Sequence, residues 1–528
     1  MYIYIYIYIN DMNENKLKQN ISDKTLHFIL TSVKTKKKQT SVSKKKLSNN
    51  SIKSVLLGYT SSTSPGMVDG RTQKASRASS IKSSIKSSSK SSSKSSKNYI
   101  YKLIKLYHDN NNVVSNYLKT APYKQHIFPQ QSRVIIIGDI HGDFEVAIRC
   151  LILAKCIEQI DIPINKTVND MNMFFNKLKW IGGETYIVQL GDQIDRVRPQ
   201  NWDNNEISID EAFEDEGSTL EIFYLFYHLN KLASIVNGRV FSIIGNHEIM
   251  NVNGNFRYVS KQEFQCFKEH LHTVYNNIQH TPRTPHKQLH LLQYSNMLNN
   301  INIEHQKTPP GYRERLHAFA PSGLCANFMA MNYYTMLQIG DWLFCHGSPT
   351  LYISNKFSIE MVNNIVALYL LGVNNTDTDL NKYYNEIMNS HPELGENNEI
   401  SILWARAFGE HINTPNKENT LQLLLQKILD AHNNNNNNNN NNTGTVKTFT
   451  NVKHVAIGHT PQFKYGINSI CNNQVWRCDI GMSKAFLTNN NNRNNNNNNN
   501  KHNNNVFKHG YIQVLELKNG IPLILSEN

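Results

Sequence analysis

Five short apolar runs constrain this chain more than anything else in it. They are RVIIIGD (133–139), ETYIVQLGD (184–192), RVFSIIGN (239–246), QIGDWLFCHG (338–347) and HVAIGH (454–459), and each ends on a polar cluster containing Asp, Asn or His. Val/Ile-rich runs followed by turn residues read as buried strands. A helix is expected over 218–236, because Ser218-Thr-Leu-Glu221 fits a capping box and Gly238 follows its end. Strands alternating with helices predict an α/β fold. In such sheets chemistry gathers beyond the carboxyl ends of the strands, where all five clusters fall.

The clusters supply Asp139, His141, Asp192, Asn246, His247, Glu248, His346 and His459. Carboxylate and amide oxygens with several imidazoles and no thiolate suit Mn, Fe or Zn at a site open to water. An Asp at a strand end can bridge two ions, since each carboxylate oxygen can bind a different one. Two ions about 3.5–4 Å apart lower the pKa of a shared water and neutralise charge in an in-line displacement at phosphorus. The expected target is therefore a phosphoester.

Asp139-x-His141-Gly, Gly191-Asp192-x-x-Asp195-Arg196, Gly245-Asn246-His247-Glu248, His346-Gly347 and Gly458-His459-Thr460 resemble the motif series of calcineurin-like metallophosphoesterases. The Asp-Arg and Asn-His-Glu versions resemble the phosphoprotein phosphatase branch. GNHEIMNVNGNFRY (245–258), LWAR (403–406), GHTPQ (458–462) and RCDIGMS (477–483) are similar to the Shewanella-like, bacterial-type protein phosphatases. The resemblance spans about 133–486. It implies a calcineurin-like α/β sandwich, two mixed β-sheets flanked by helices.

The resemblance also implies roles. Asp139 and His141 would bind a first divalent ion, Asp192 would bridge, and Asn246, His346 and His459 would complete a second. His247 would be the general acid for the leaving oxygen, oriented by Asp195. Arg196 and Arg406 would grip phosphate oxygens through their two-pronged guanidinium groups. The nucleophile would be a bridging hydroxide, with no phosphoenzyme. Three positions depart from the family pattern: Val197 and Ser348 stand where Gly is common, and Asn255 where Asp is usual. They bear on substrate fit and leave every implied ligand in place.

Charge points elsewhere at first. The 528 residues carry a net +14, which suggests a nucleic-acid or membrane-surface partner. Residues 1–100, however, hold 19 Lys and Arg against 4 Asp and Glu, while the remainder holds 36 against 37. A +15 arm is attached to a body of −1. Residues 1–98, ending in IKSSIKSSSKSSSKSSK, read as a disordered basic Ser/Lys-rich tail. A nucleic-acid partner is expected only through that tail, which lacks the interleaved aromatics that stack bases.

The metallophosphoesterase domain is expected over 131–525, with an insertion at 259–318 and Asn-rich loops at 433–442 and 489–505. The insertion includes EFQCFKEHLHTVYNNI, a candidate helical cap over the metal site. Its His270, His272, His280, His286 and His290 are irregularly spaced among prolines and read as solvated histidines. Residues 203–216 carry seven acids and no Lys or Arg, and read as a solvated loop. No apolar stretch is long enough for a membrane-spanning helix. Seven cysteines without a CxxC pair argue for a reducing compartment. The expected location is cytoplasmic, and KTKKKQTSVSKKK also suits a nuclear address.

The function expected is a phosphatase with two divalent ions (Mn, Fe or Zn), acting on phosphomonoesters of Ser/Thr or Tyr in proteins. The nearest rival uses the same chemistry on nucleotides or dinucleoside polyphosphates. A third reading is a non-catalytic scaffold for phosphoprotein or RNA, against which the complete ligand set argues.

Overall fold

The Val/Ile-rich runs become strands of two six-stranded mixed sheets. One sheet has the order β12 (Ile521–Ser526), β11 (Gln513–Lys518), β2 (Arg133–Ile137), β3 (Tyr186–Gln189), β4 (Arg239–Ile243) and β5 (Tyr333–Tyr334). The other has β1 (Ile127–Phe128), β6 (Met336–Ile339), β7 (Trp342–Cys345), β8 (His454–Ile457), β10 (Val475–Arg477) and β9 (Asn468–Ile470). This computed structural model describes residues 98–121, 124–199, 212–280, 308–373, 378–388, 400–412, 414–440, 450–487 and 511–527. The basic tail up to residue 97 and the run at 489–505 lie outside the described residues.

Strands β2, β3, β4 and β5 are parallel neighbours, while β11 closes on β2 antiparallel. Parallel strands need crossover helices, and those covering this sheet bury apolar faces. Helix α2 (Phe144–Leu153) follows β2, and α3 (Thr219–Ser234) lies between β3 and β4 and packs on β4. The run 338–347 is two strands rather than one. Gly340 and Asp341 turn β6 into β7, with Gly340 at φ +58°, as a two-residue hairpin requires.

Helix α3 forms where the sequence places it, but its expected capping box does not. The Ser218 side chain makes no cap hydrogen bond, and its hydroxyl instead donates to Glu216. Glu221 turns inward, where the Tyr99 hydroxyl of α1 (Tyr99–Tyr107) donates to it. Tertiary burial outweighs a local motif here.

After β4 come α4 (Asn246–Val252), α5 (Lys261–His280) and α6 (Tyr312–Phe319). The expected insertion docks through Phe256, Val259, Phe264, Tyr312 and Leu316, all buried together. Each such side chain contributes about 1.5–3 kcal/mol of transfer free energy. The first Asn run starts inside helix α7 (Pro415–Asn440) rather than in a loop. Asn433 exchanges hydrogen bonds with the Val452 backbone, Asn435 donates to the Ser354 carbonyl, and Asn436 is buried. The acids Glu214, Asp215 and Glu216, expected in a solvated loop, are partnered by Lys484, by Ser260 with Gln262, and by Lys166.

All seven cysteines are buried and unpaired. Among the described residues no helix is long and apolar enough to cross a membrane.

Candidate metal centre

Strands β2, β3, β4, β7 and β8 end at one place, so five clusters far apart in sequence become one. Asp192, just beyond β3, is its hub. Its Oδ2 lies 3.3 Å from His346 Nε2, 3.8 Å from His247 Nε2 and 3.9 Å from His141 Nε2. Two groups could each hold a cation: His141, Asp192 and His247, and Asp192, His346 and His459. Asp139 Oδ2 also sits 3.9 Å from His141 Nε2, and Asn246 Oδ1 is 2.8 Å from His346 Nε2. All six sequence-derived ligand candidates therefore line one buried cluster.

The backbone is bent to achieve this. His141, Asp192, Asp195 and His459 all have φ between +47° and +75°. Such left-handed conformations cost about 1–3 kcal/mol each for non-glycine residues and concentrate at functional sites. Interloop hydrogen bonds hold them, since His141 N and Ile140 N both donate to the Asp192 carbonyl. Glu248 holds the other side, accepting from the amides of Gly245, Asp192 and Gln193.

Glycine precedes Asn246 and His459 because a Cβ at either position would strike another ligand. At Gly245 it would lie 2.2 Å from Asp192 Oδ1, and at Gly458 it would lie 2.3 Å from Asp139 Oδ1. Gly458→Ala is thus expected to displace Asp139 and weaken divalent-cation binding about 10- to 100-fold. Titration calorimetry with Mn²⁺ on the variant and the wild type measures it.

The four histidines divide by what stands behind them. His141 Nδ1 faces the Ile194 carbonyl, His346 Nδ1 donates to the Leu190 carbonyl at 2.8 Å, and His459 Nε2 faces the Trp404 carbonyl. A carbonyl accepts a hydrogen bond from one ring N–H and leaves the other nitrogen as a ligand. Behind His247 is a carboxylate instead: Asp195 Oδ2 lies 2.8 Å from Nδ1. A buried carboxylate there accepts the Nδ1 hydrogen bond and aims Nε2 at the cluster, which suits a proton carrier.

Asp195 is itself fixed by residues that the sequence did not point to. Asn251 donates to both its oxygens, Arg315 Nη2 lies 3.4 Å from Oδ1, and Glu263 accepts the backbone amides of Asp195 and Arg196. Helix α5, expected as a cap over the metals, reaches the back of this loop through Glu263.

Electrostatics separate the groups further. Burial opposes ionisation of Asp192, but His346 and His247 hold its carboxyl well below the usual range. Burial and then Arg198 push His141 down, and burial and then Arg406 push His459 down, which favours the uncharged ring in both. Burial pushes Asp479 up to about 6, and burial, then Asp479 and Asp192, raise Asp139. Asp139 Oδ1 and Asp479 Oδ2 are buried without a hydrogen-bond partner. Orphaned carboxylate oxygens beside neutral imidazoles are the donor set a divalent cation satisfies. Asp479 lies within the matched RCDIGMS segment, yet sequence reasoning gave it no role.

Of the two arginines expected to grip phosphate, Arg196 is engaged by the protein itself and Arg406 is exposed. Arg196 is only 1% exposed, and its Nη atoms are taken up by Asp143 at 2.7 Å, Ser483, and the carbonyls of Phe213 and Glu214. Arg198, two residues on, is half-buried over the Phe486 ring, and its charge acts on both Asp192 and His141. Arg406 is exposed, donates to the His459 carbonyl and Thr460 hydroxyl, and acts on His459. Arg198 and Arg406 thus bring positive charge to bear on the cluster, while Arg196 braces its wall.

No protein-family model matches the chain. It is similar to Shewanella-like protein phosphatase 2 of Arabidopsis thaliana, 26% identical over 366 residues covering 68% of this chain and 73% of that protein. It is also similar to Shewanella-like protein phosphatase 1 of Plasmodium berghei, 26% identical over 352 residues covering 66% and 67%. Among solved structures, the cold-active protein-tyrosine phosphatase of a psychrophilic Shewanella species aligns over 76% of this chain and 80% of its own. That alignment has a TM-score of 0.42 and 17% identity.

Proposed function

We propose that this chain, which belongs to the metallophosphoesterases of the phosphoprotein phosphatase family, hydrolyses phosphomonoesters on protein side chains. The observation that carries the reading is one carboxylate, Asp192, whose Oδ2 faces His141, His346 and His247 at 3.3–3.9 Å, with a second carboxylate, Asp195, behind His247. Asp139, His141 and Asp192 would hold one divalent ion, and Asp192, Asn246, His346 and His459 the other. When bound, two such ions supply charge neutralisation at the phosphoryl group and an activated water.

The chain's own groups perform the rest. Arg198 and Arg406 bind phosphate oxygens from the rim, and Arg196 keeps the Asp195–Val197 loop in place through Asp143. His247 Nε2 gives its proton to the leaving oxygen, and Asp195 holds the ring in line through Nδ1. Nothing in this cycle needs a covalent phosphoenzyme.

His247→Asn is expected to lower kcat about 10²- to 10⁴-fold on a phosphoserine peptide, whose alkoxide leaves poorly without a proton. On an aryl phosphate with an acidic phenol the loss should be much smaller. Equal losses on both would show that His247 does something other than protonate the leaving group. The same assay, run with phosphoserine, phosphothreonine and phosphotyrosine peptides beside nucleotides, tests the substrate class. A preference for nucleotides would reject the protein-phosphatase reading.

A further inference from the structure

Outside the strand-end cluster, Glu221 of α3 meets Cys266 and His270 of α5. Each offers one ligand atom, and these atoms lie within 4.8 Å of one another. Cys266 and His270 are four residues apart on one helix and so share the face turned to α3. The Tyr99 hydroxyl donates to Glu221 Oε1, which fixes the carboxylate. The other oxygen, Oε2, is buried with no hydrogen-bond partner, on a side chain only 4% exposed. Leaving a buried carboxylate oxygen unsatisfied is costly, and nothing in the proposed phosphatase chemistry uses it.

We propose that Glu221, Cys266 and His270 form a further divalent-cation site, selective for a borderline-soft ion of the Zn²⁺ class. A thiolate ligand favours such ions over Mn²⁺ and Mg²⁺. Coordination would strip the thiol of its proton, as it does for any coordinating cysteine. A tetrahedral site with bonds of roughly 2.0–2.3 Å has ligand-to-ligand edges of roughly 3.3–3.8 Å, so closure from the observed spacing takes only small rotamer changes. His270 is half-buried, which leaves a route in and a fourth position for water. Tyr99 acts behind the ligand, as outer hydrogen bonds do in metal sites.

The position gives the site a consequence. Glu263, one turn before Cys266, carries the amides of Asp195 and Arg196. An ion joining α5 to α3 would fasten the helix that positions the proton-donating pair. His270 thus departs from the expectation of solvated histidines in this segment. The sequence hides the reason, because Glu221 lies 45 residues before Cys266.

Cobalt distinguishes this site from the strand-end centre, whose candidate ligands include no thiol. The full-length protein loaded with Co²⁺ is expected to show a near-ultraviolet thiolate-to-cobalt charge-transfer band. Cys266→Ser should abolish it, His270→Ala should remove or strongly weaken it, and Tyr99→Phe should weaken Co²⁺ affinity about 10- to 100-fold. Circular dichroism checks that each variant is folded. Folded wild type without the band, or an unchanged band in Cys266→Ser and His270→Ala, would overturn the site. The band reports the thiolate alone, so its absence leaves the phosphatase assays to be judged separately.

Discussion

Asp192→Asn is expected to leave the protein folded but without strand-end cation binding, and to lower kcat/KM by at least about 10⁴-fold on any phosphomonoester. The size follows from position. Asp192 is the only residue common to both candidate groups, and its Oδ2 faces three imidazoles within 4 Å. Asparagine keeps the shape and can still accept the His247 amide that now reaches Oδ1 at 3.0 Å. It loses the negative charge and one acceptor oxygen. Each ion contributes several kcal/mol of charge stabilisation, so losing both exceeds any single hydrogen-bond deletion. Metal analysis after dialysis should find the strand-end ions gone. A variant that retained both ions and normal turnover would remove Asp192 from the centre of the site.

Loss of the Asp192 charge has a second consequence. Burial favours the neutral His346 ring, but Asp192 outweighs it and raises the ring above the ordinary histidine range. In Asp192→Asn the His346 pKa should fall, and NMR titration of the cation-free protein reads this directly.

The strand-end ligands were legible because each lies within four residues of the end of an apolar run, so local pattern and catalytic position coincide. The two-sheet architecture came from the same runs together with the family resemblance. What stayed hidden is tertiary. Asn251, Glu263 and Arg315 lie on three different helices and have no local signature, yet they surround Asp195. The left-handed backbone at His141, Asp192, Asp195 and His459 is equally invisible, since no glycine marks those positions. Arg196 and Arg198 show the limit of a motif: it locates the loop, but not that Asp143 takes the Arg196 guanidinium while Arg198 donates to the Asp195 and Val197 carbonyls.

Arg315→Met is expected to destabilise the protein by about 3–5 kcal/mol near neutral pH, the cost of leaving buried charge uncompensated. Arg315 is fully buried and stacked among Phe256, Phe267 and Phe319. It donates to Asn251 and Thr219 and lies 3.4 Å from Asp195 and 3.9 Å from Glu263. Methionine fills the aromatic slot but strands two carboxylates. Burial would raise the Glu263 carboxyl, yet Arg315 and the amides of Ser260, Arg196 and Asp195 hold it below the ordinary range. A depressed carboxyl stabilises the fold above its unfolded-state pKa, about 4.3, and that stability is lost as pH falls through the folded value. The gap between wild type and Arg315→Met should therefore be widest near neutral pH and narrow on acidification below about 4. Adding Glu263→Gln to Arg315→Met should restore part of the loss, because it removes one stranded charge. Urea denaturation of all three proteins at pH 7 and below pH 4 decides it. A pH-independent gap would mean that Arg315 acts through packing among its three phenylalanines rather than through charge.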